Sequence, residues 1–150
     1  MSRAFFDTNV LVYLFDNRDP EKKIRAQQIF AEESERGRAV LSTQVLQEFY
    51  WAMTRKLASP LPEEIAEERV RDLCELPLVR IDAPMTLAAI ARSRSQGFSL
   101  WDALIVEAAL SAGANRLLTE DLQHGQEIQG LRVENPFLSL RKSSEKYRLT

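Results

Sequence analysis

The residues Arg3-Ala4-Phe5-Phe6-Asp7-Thr8-Asn9, RAFFDTN, decide how the rest of the chain is read. A short apolar run that stops at an acid and two small hydrogen-bonding side chains reads as a strand whose carboxyl end opens into a polar turn. Comparable runs recur at 39–42, 79–81, 116–118 and 131–133, and helix-period segments lie between them at 20–36, 44–57, 62–75, 84–95 and 100–112. Strands alternating with helices predict βαβ units with right-handed crossovers, hence an α/β fold whose mostly parallel sheet is covered on both faces. Such sheets gather ligands outside the carboxyl ends of their strands, where strand order reverses. Asp7 in AFFDTN and Asp121 in RLLTED fall at strand ends and are the first candidate site residues, although each alone also fits a helix cap or turn.

Composition narrows the class. The 150 residues are 45% apolar and 28% charged, as in one soluble globular domain. Cys74 is the single cysteine, which excludes an intrachain disulfide and a thiolate zinc site and favours a reducing, cytoplasmic setting. Asp7 and Asn9 interrupt what a secretory signal would need to be apolar, and no run approaches the length of a membrane span. The net charge of −2 argues against binding nucleic acid through a bulk positive field, but not against a nuclease. Fifteen arginines against five lysines suit bidentate phosphate contacts. No repeat or Gly/Ser linker appears. Residues 1–138 read as the domain and 139–150, which lose apolar periodicity, as a polar and loosely held tail.

Two further acids stand on helices. FSLWDALIVEAAL (98–110) is apolar on nearly every side, yet carries Asp102. Ser99-x-x-Asp102 fits a capping box, which alone would account for the acid. Glu48, in LQEFYWAM, borders the stripe of Val45, Phe49 and Met53, where a salt bridge to Arg55 is the ordinary alternative. Taken together, Asp7, Glu48, Asp102 and Asp121 point to one negatively charged pocket. Converging carboxylates raise one another's pKa and oppose folding unless a cation joins them. An all-oxygen donor set suits Mg²⁺, with Mn²⁺ as substitute, and such ions acidify a water and neutralise phosphodiester charge.

The ordered set FFDTNVLVYLFD, LQEFYWAM, SLWDALIVEAAL and LLTEDLQHG, spanning residues 4 to 125, resembles the PIN-domain ribonucleases, and particularly the toxin half of VapBC-type toxin–antitoxin modules. The resemblance implies a three-layer α/β/α domain and a metal-dependent endoribonuclease that uses a metal-activated water and leaves a 5′-phosphate. It also implies an antitoxin partner and a homodimer. It places the catalytic, metal-holding quartet at Asp7, Glu48, Asp102 and Asp121, with Thr8, Asn9 and Thr119 orienting carboxylates or solvent. The large apolar residues of LQEFYWAM add a residue-level reason to expect association.

Other residues read as structural. Glu107 lies about 140° around the helix from Asp102 and is expected exposed or salt-bridged. Glu120 adjoins Asp121, and spacing alone does not separate the two. His124 reads as a turn residue, Arg92 and Arg94 as a solvated helix end or phosphate contacts, and ENPF (134–137) as a turn covering the sheet edge. Tyr50, Trp51 and Trp101 could stack on bases, but core packing is the commoner fate of such residues. A phosphotransferase using Asp7 would want a second aspartate where Asn9 stands, and no G-x-G-x-x-G supports dinucleotide binding. From another functional class, the alternative is a catalytically silent PIN-like domain that binds RNA or protein.

Overall fold

The computed structural model describes residues 2–140. Its elements run β1 (Ala4–Phe6), α1 (Thr8–Tyr13), α2 (Pro20–Glu35), β2 (Ala39–Ser42), α3 (Thr43–Arg55), α4 (Glu63–Leu73), β3 (Leu78–Val79), α5 (Ala83–Gln96), α6 (Leu100–Ser111), β4 (Arg116–Leu118), β5 (Glu127–Ile128) and β6 (Leu131–Glu134). One six-stranded sheet has the order β3-β2-β1-β4-β6-β5. All neighbouring pairs are parallel except β5 with β6. The fold is the expected α/β arrangement, a mostly parallel sheet flanked by helices.

β1 is central because it is apolar on both faces. Ala4, Phe5 and Phe6 are all fully buried, as a parallel strand covered on both sides requires. The chain moves outward from β1 through β2 to β3, then returns to the other side of β1 to lay down β4. Strand order therefore reverses between β1 and β4, and their carboxyl ends, Phe6 and Leu118, stand side by side in register. α3 packs on α1 and α4, and α5 packs on α6.

Helix starts follow their capping side chains. Asp19, Ser42, Asp82 and Ser99 each accept a backbone amide from the first turn of α2, α3, α5 and α6, satisfying a donor the helix cannot. Gly97 ends α5 in a left-handed conformation, φ 76°, which lets the chain reverse in two residues before Ser99 starts α6.

Several elements differ from expectation. α1, six residues long, was not foreseen; Asp7 caps it by accepting from the Thr8 amide, and packing on α2 and α3 overrides the strand preference of its β-branched residues. β5 was also unforeseen, being two residues joined to β6 through Gln129 (φ 51°) and Gly130 (φ 87°), the two positive φ values of a tight hairpin turn. The third strand lies at Leu78–Val79 instead of 79–81, since its partners are Leu41 and Ser42. ENPF turns the chain as expected, with the Phe137 amide donating to Asn135 Oδ1 at 2.9 Å. What it covers is α1, because the buried Phe137 ring meets Tyr13 edge-on at 4.9 Å. Most of the expected tail, residues 141–150, lies outside the described residues. No helix among the described residues is long and apolar enough to cross a membrane.

Candidate functional site

The strand-order reversal opens a cleft of about 630 Å³ lined by Asp7, Glu48, Asp102 and Asp121. Asp7 leaves the end of β1, where its amide donates to the Leu118 carbonyl at 3.0 Å. Its carboxylate is buried and held at both oxygens: the Thr8 amide donates to Oδ1 at 2.7 Å and the Thr119 hydroxyl to Oδ2 at 2.7 Å. The same Thr119 oxygen accepts the Asp121 amide at 3.1 Å and the Asn9 side-chain amide at 3.4 Å. One hydroxyl thus ties β1, the start of α1 and the turn after β4 together.

Asp102 sits in the first turn of α6, where its amide donates to Ser99 Oγ at 3.1 Å. The forward half of the capping box is therefore present. Asp102 also has a carboxylate oxygen within 4.8 Å of oxygens of Asp7 and Asp121, so the residue whose amide is capped turns its carboxylate toward the acidic group. Glu48 lines the same cleft from α3 but stands outside that three-acid group. Its Oε1 accepts the Thr8 hydroxyl at 2.8 Å, and no ion pair to Arg55 forms among the described residues.

The electrostatics are those of an uncompensated acidic cluster. Burial, opposed by the hydrogen bonds from Thr119 and Thr8 and assisted by the charges of Asp121 and Glu48, pushes the Asp7 carboxyl up to about 7. Asp102 is raised by burial and then by Asp121 and Glu48, against the Ser99 hydroxyl. Burial, hydrogen bonds and neighbouring carboxylates are the main causes of both shifts. Asn9 Oδ1 is buried in the cleft lining without a hydrogen-bond partner, and an orphaned buried acceptor is costly. An all-oxygen donor set, a carboxylate with both oxygens already oriented and an unsatisfied acceptor together fit a hard divalent cation.

The neighbouring acids are occupied elsewhere. Glu120 turns away from Asp121, accepting the Tyr13 hydroxyl at 2.6 Å and pairing with Lys22 at 2.9 Å. Glu107 is salt-bridged to Arg92 at 2.7 Å, as its helix angle predicted. The other Arg92 nitrogens bind Gln96 and Gln129, which removes Arg92 as a phosphate contact. His124 Nδ1 accepts the Asn135 amide in a turn.

The aromatic residues require a correction. Trp51 and Trp101 do not pack in the core; they are 50% and 62% exposed and both line the cleft. Their apolarity suggested burial, but Trp51 shares the helix stripe of Glu48, while Phe49 and Met53 take the buried stripe. Cleft residues that went unforeseen are Gln44, Lys56, and Asp16 paired with Arg18. Asp16 closes the FFDTNVLVYLFD stretch without having been singled out, and the others carry no motif. Only the i, i+4, i+7 spacing of Gln44, Glu48 and Trp51 could have placed any of them on one face.

A family model described as the PIN domain matches residues 4–126. No curated protein matches the chain. Among solved structures the chain is similar to a toxin–antitoxin complex from Klebsiella pneumoniae, with a TM-score of 0.64 and 23% identity over 89% of this chain and 97% of that one. It is also similar to DNA-bound VapBC from Salmonella typhimurium, with a TM-score of 0.63 and 20% identity over 91% and 99%. The third is VapC20 from Mycobacterium tuberculosis, a sarcin-ricin-loop-cleaving toxin, with a TM-score of 0.63 and 18% identity over 76% and 86%. At these identities the likeness is one of fold.

Proposed function

The chain belongs to the PIN-domain family, and from that premise we infer that it is a Mg²⁺- or Mn²⁺-dependent endoribonuclease, the toxin of a toxin–antitoxin pair. The observation that carries this reading is the approach of Asp7, Asp102 and Asp121 to within 4.8 Å, with no ion pair to any of the three among the described residues. Asp7, Asp102 and Asp121 would hold the cation, with Glu48 beside them. A bound divalent ion supplies Lewis acidity, neutralising phosphodiester charge and lowering the pKa of a water.

The chain's own residues do the positioning. Thr119 and the Thr8 amide fix both Asp7 oxygens, so this carboxylate needs little reorganisation when it is used. Thr8 holds Glu48 through Oε1, which reserves the second oxygen for a solvent molecule or its proton. Asn9 Oδ1, unpartnered and buried, would be a further oxygen donor beside the carboxylates. Residues 1–138 form the nuclease domain in this reading, with 139–150 as its tail. The toxin role is supported by the toxin–antitoxin complexes among the structural neighbours. The LQEFYWAM residues do not supply the expected association surface, because Phe49 and Met53 are buried and Trp51 lines the cleft; exposed Leu87 and Ile90 on α5 offer apolar surface for an antitoxin or a second copy instead.

The test is cleavage of a single-stranded RNA by the purified chain. Activity is expected with Mg²⁺ or Mn²⁺, undiminished by a zinc-selective chelator and abolished by excess EDTA. Cleavage that persists in EDTA, or that an Asp7→Asn protein retains in full, refutes it.

A further inference from the structure

Both tryptophans of the chain line the acidic cleft, half or more exposed, and neither belongs to a core cluster. Single exposed apolar residues are ordinary on a protein surface. Two of the largest side chains at one polar cleft, with none elsewhere in the sequence, are a feature of that cleft.

Their placement is fixed by the backbone. Trp101 precedes Asp102 at the start of α6, and its carbonyl accepts Gln44 Nε2 from α3 at 3.2 Å, which locks the two helix faces together. On α3, Gln44, Glu48 and Trp51 follow at i, i+4 and i+7, so Trp51 lies one turn beyond Glu48 on the cleft side. Lys56, at the end of the same helix, holds its Nζ 5.0 Å from the Trp51 ring centroid. The indoles therefore flank the carboxylates: Trp101 stands beside Asp102 and the start of α3, and Trp51, with the Lys56 ammonium over its ring, stands one turn beyond Glu48 toward the end of that helix.

We propose that Trp51 and Trp101 form a stacking shelf for unpaired bases of a single-stranded RNA, with Lys56 on its backbone, so that these residues position the strand across the acidic centre. The proposal rests on the nuclease reading above. A net-negative chain with an acidic centre repels an RNA backbone, and base stacking supplies affinity independent of that charge and tolerant of sequence. The cleft volume of about 630 Å³ lies in the range of ligand sites and admits a nucleotide or two. Paired bases hide their faces, so the shelf selects unpaired RNA over duplex. Trp51 and Trp101 are positioning residues, because none of the chemistry requires their atoms.

The two indoles are the only tryptophans, so fluorescence excited selectively at tryptophan, past the tyrosine absorption, reports on the shelf alone. The full-length protein is mixed with a ten-residue single-stranded RNA in Mg²⁺ by stopped flow. The fluorescence amplitude is read before turnover, and cleavage of the same mixture is followed afterwards. Saturable quenching by the single strand, weak or absent with the same RNA annealed to its complement, is expected. Trp51→Phe and Trp101→Phe proteins assign the signal to each ring. Trp51→Ala and Trp101→Ala should each raise the Kd or KM about tenfold with kcat little changed, as expected for binding shared by ground and transition states. Because both positions are exposed, the variants should keep the wild-type melting temperature. Cleavage without quenching overturns the shelf. Quenching without cleavage sustains the shelf and counts against the nuclease reading. Quenching by a coexpressed antitoxin, with none by RNA, assigns the surface to protein and overturns the proposal.

Discussion

Replacing Asp7 by Asn should make the metal-free protein more stable at neutral pH while removing its response to Mg²⁺. Burial pushes the Asp7 carboxyl from 3.8 up to about 7, so the folded state binds a proton that the unfolded chain has already released. The stability this proton confers is complete below the unfolded pKa, and it is lost as pH rises through the folded pKa of about 7. A shift of about three pKa units corresponds to roughly 4 kcal/mol of penalty above pH 7, of which roughly 3 kcal/mol develops between pH 5 and 8. Asparagine escapes this titration. It cannot accept at both positions where Thr8 and Thr119 donate, and one mismatched hydrogen bond costs about 1–3 kcal/mol. The net expectation at pH 8 in EDTA is a gain of roughly 1–3 kcal/mol for Asp7→Asn, and near pH 5 a gain near zero or a loss. The assay is urea denaturation of both proteins across pH 5–8, because their difference cancels the titrating groups that are not coupled to Asp7. Mg²⁺ should stabilise the wild type increasingly as pH rises through 7, since a ligand carboxyl must lose its proton to bind. A difference between the proteins that is flat across this pH range would refute the reasoning, because Asp7 would then be titrating alike in both states.

Asp102→Asn should fold with unchanged or raised metal-free stability, because burial and Asp121 disfavour the charge it removes, and should lose most of the Mg²⁺-dependent thermal shift. If Asp102 served only as the third residue of a capping box, Asp102→Ala would instead cost about 1 kcal/mol and leave cleavage intact. Thr119→Val removes the donor to Asp7 and the acceptor for the Asp121 and Asn9 amides. It should cost about 1–3 kcal/mol and move the pH profile of Mg²⁺ binding upward, since a bond that lowers the Asp7 pKa is gone. A profile that stays in place, followed by calorimetry at successive pH values, would count against that role.

The sheet was readable from the sequence because its strands are short apolar runs ended by Asp7, Ser42 and Thr119, and parallel order follows from the helices between them. The acids were found by the same logic, as polar groups at strand ends or interrupting apolar helices. α1 was hidden because its six residues are mostly β-branched or aromatic and become helical through the Asp7 cap and packing on α2 and α3. Two-residue β5 carries too little pattern to register. Trp51 and Trp101 misled because residue type suggests burial, while only the position of Glu48 reveals which stripe of α3 faces the cleft. Lys56 and Arg18 reach the cleft from helix and loop ends that no spacing rule connects to the acids. Buried Glu33, bridged to both Arg38 and Arg116, was likewise invisible, since one partner precedes β2 and the other lies far along the chain in β4.

The Thr119 hydroxyl bond to Asp7 joins residues 112 positions apart, and the order in which a ribosome delivers the chain gives that distance a meaning of its own. Asp7 and Glu48 emerge well before Asp102, but β4 is laid beside β1 only after residue 118 has left the exit tunnel, and Asp121 follows. Until then the Asp7 carboxylate lacks its Thr119 clamp and the cluster lacks a member. A nascent chain therefore holds no completed cleft until β4 has paired with β1, and whatever that cleft does waits on the strand that closes it.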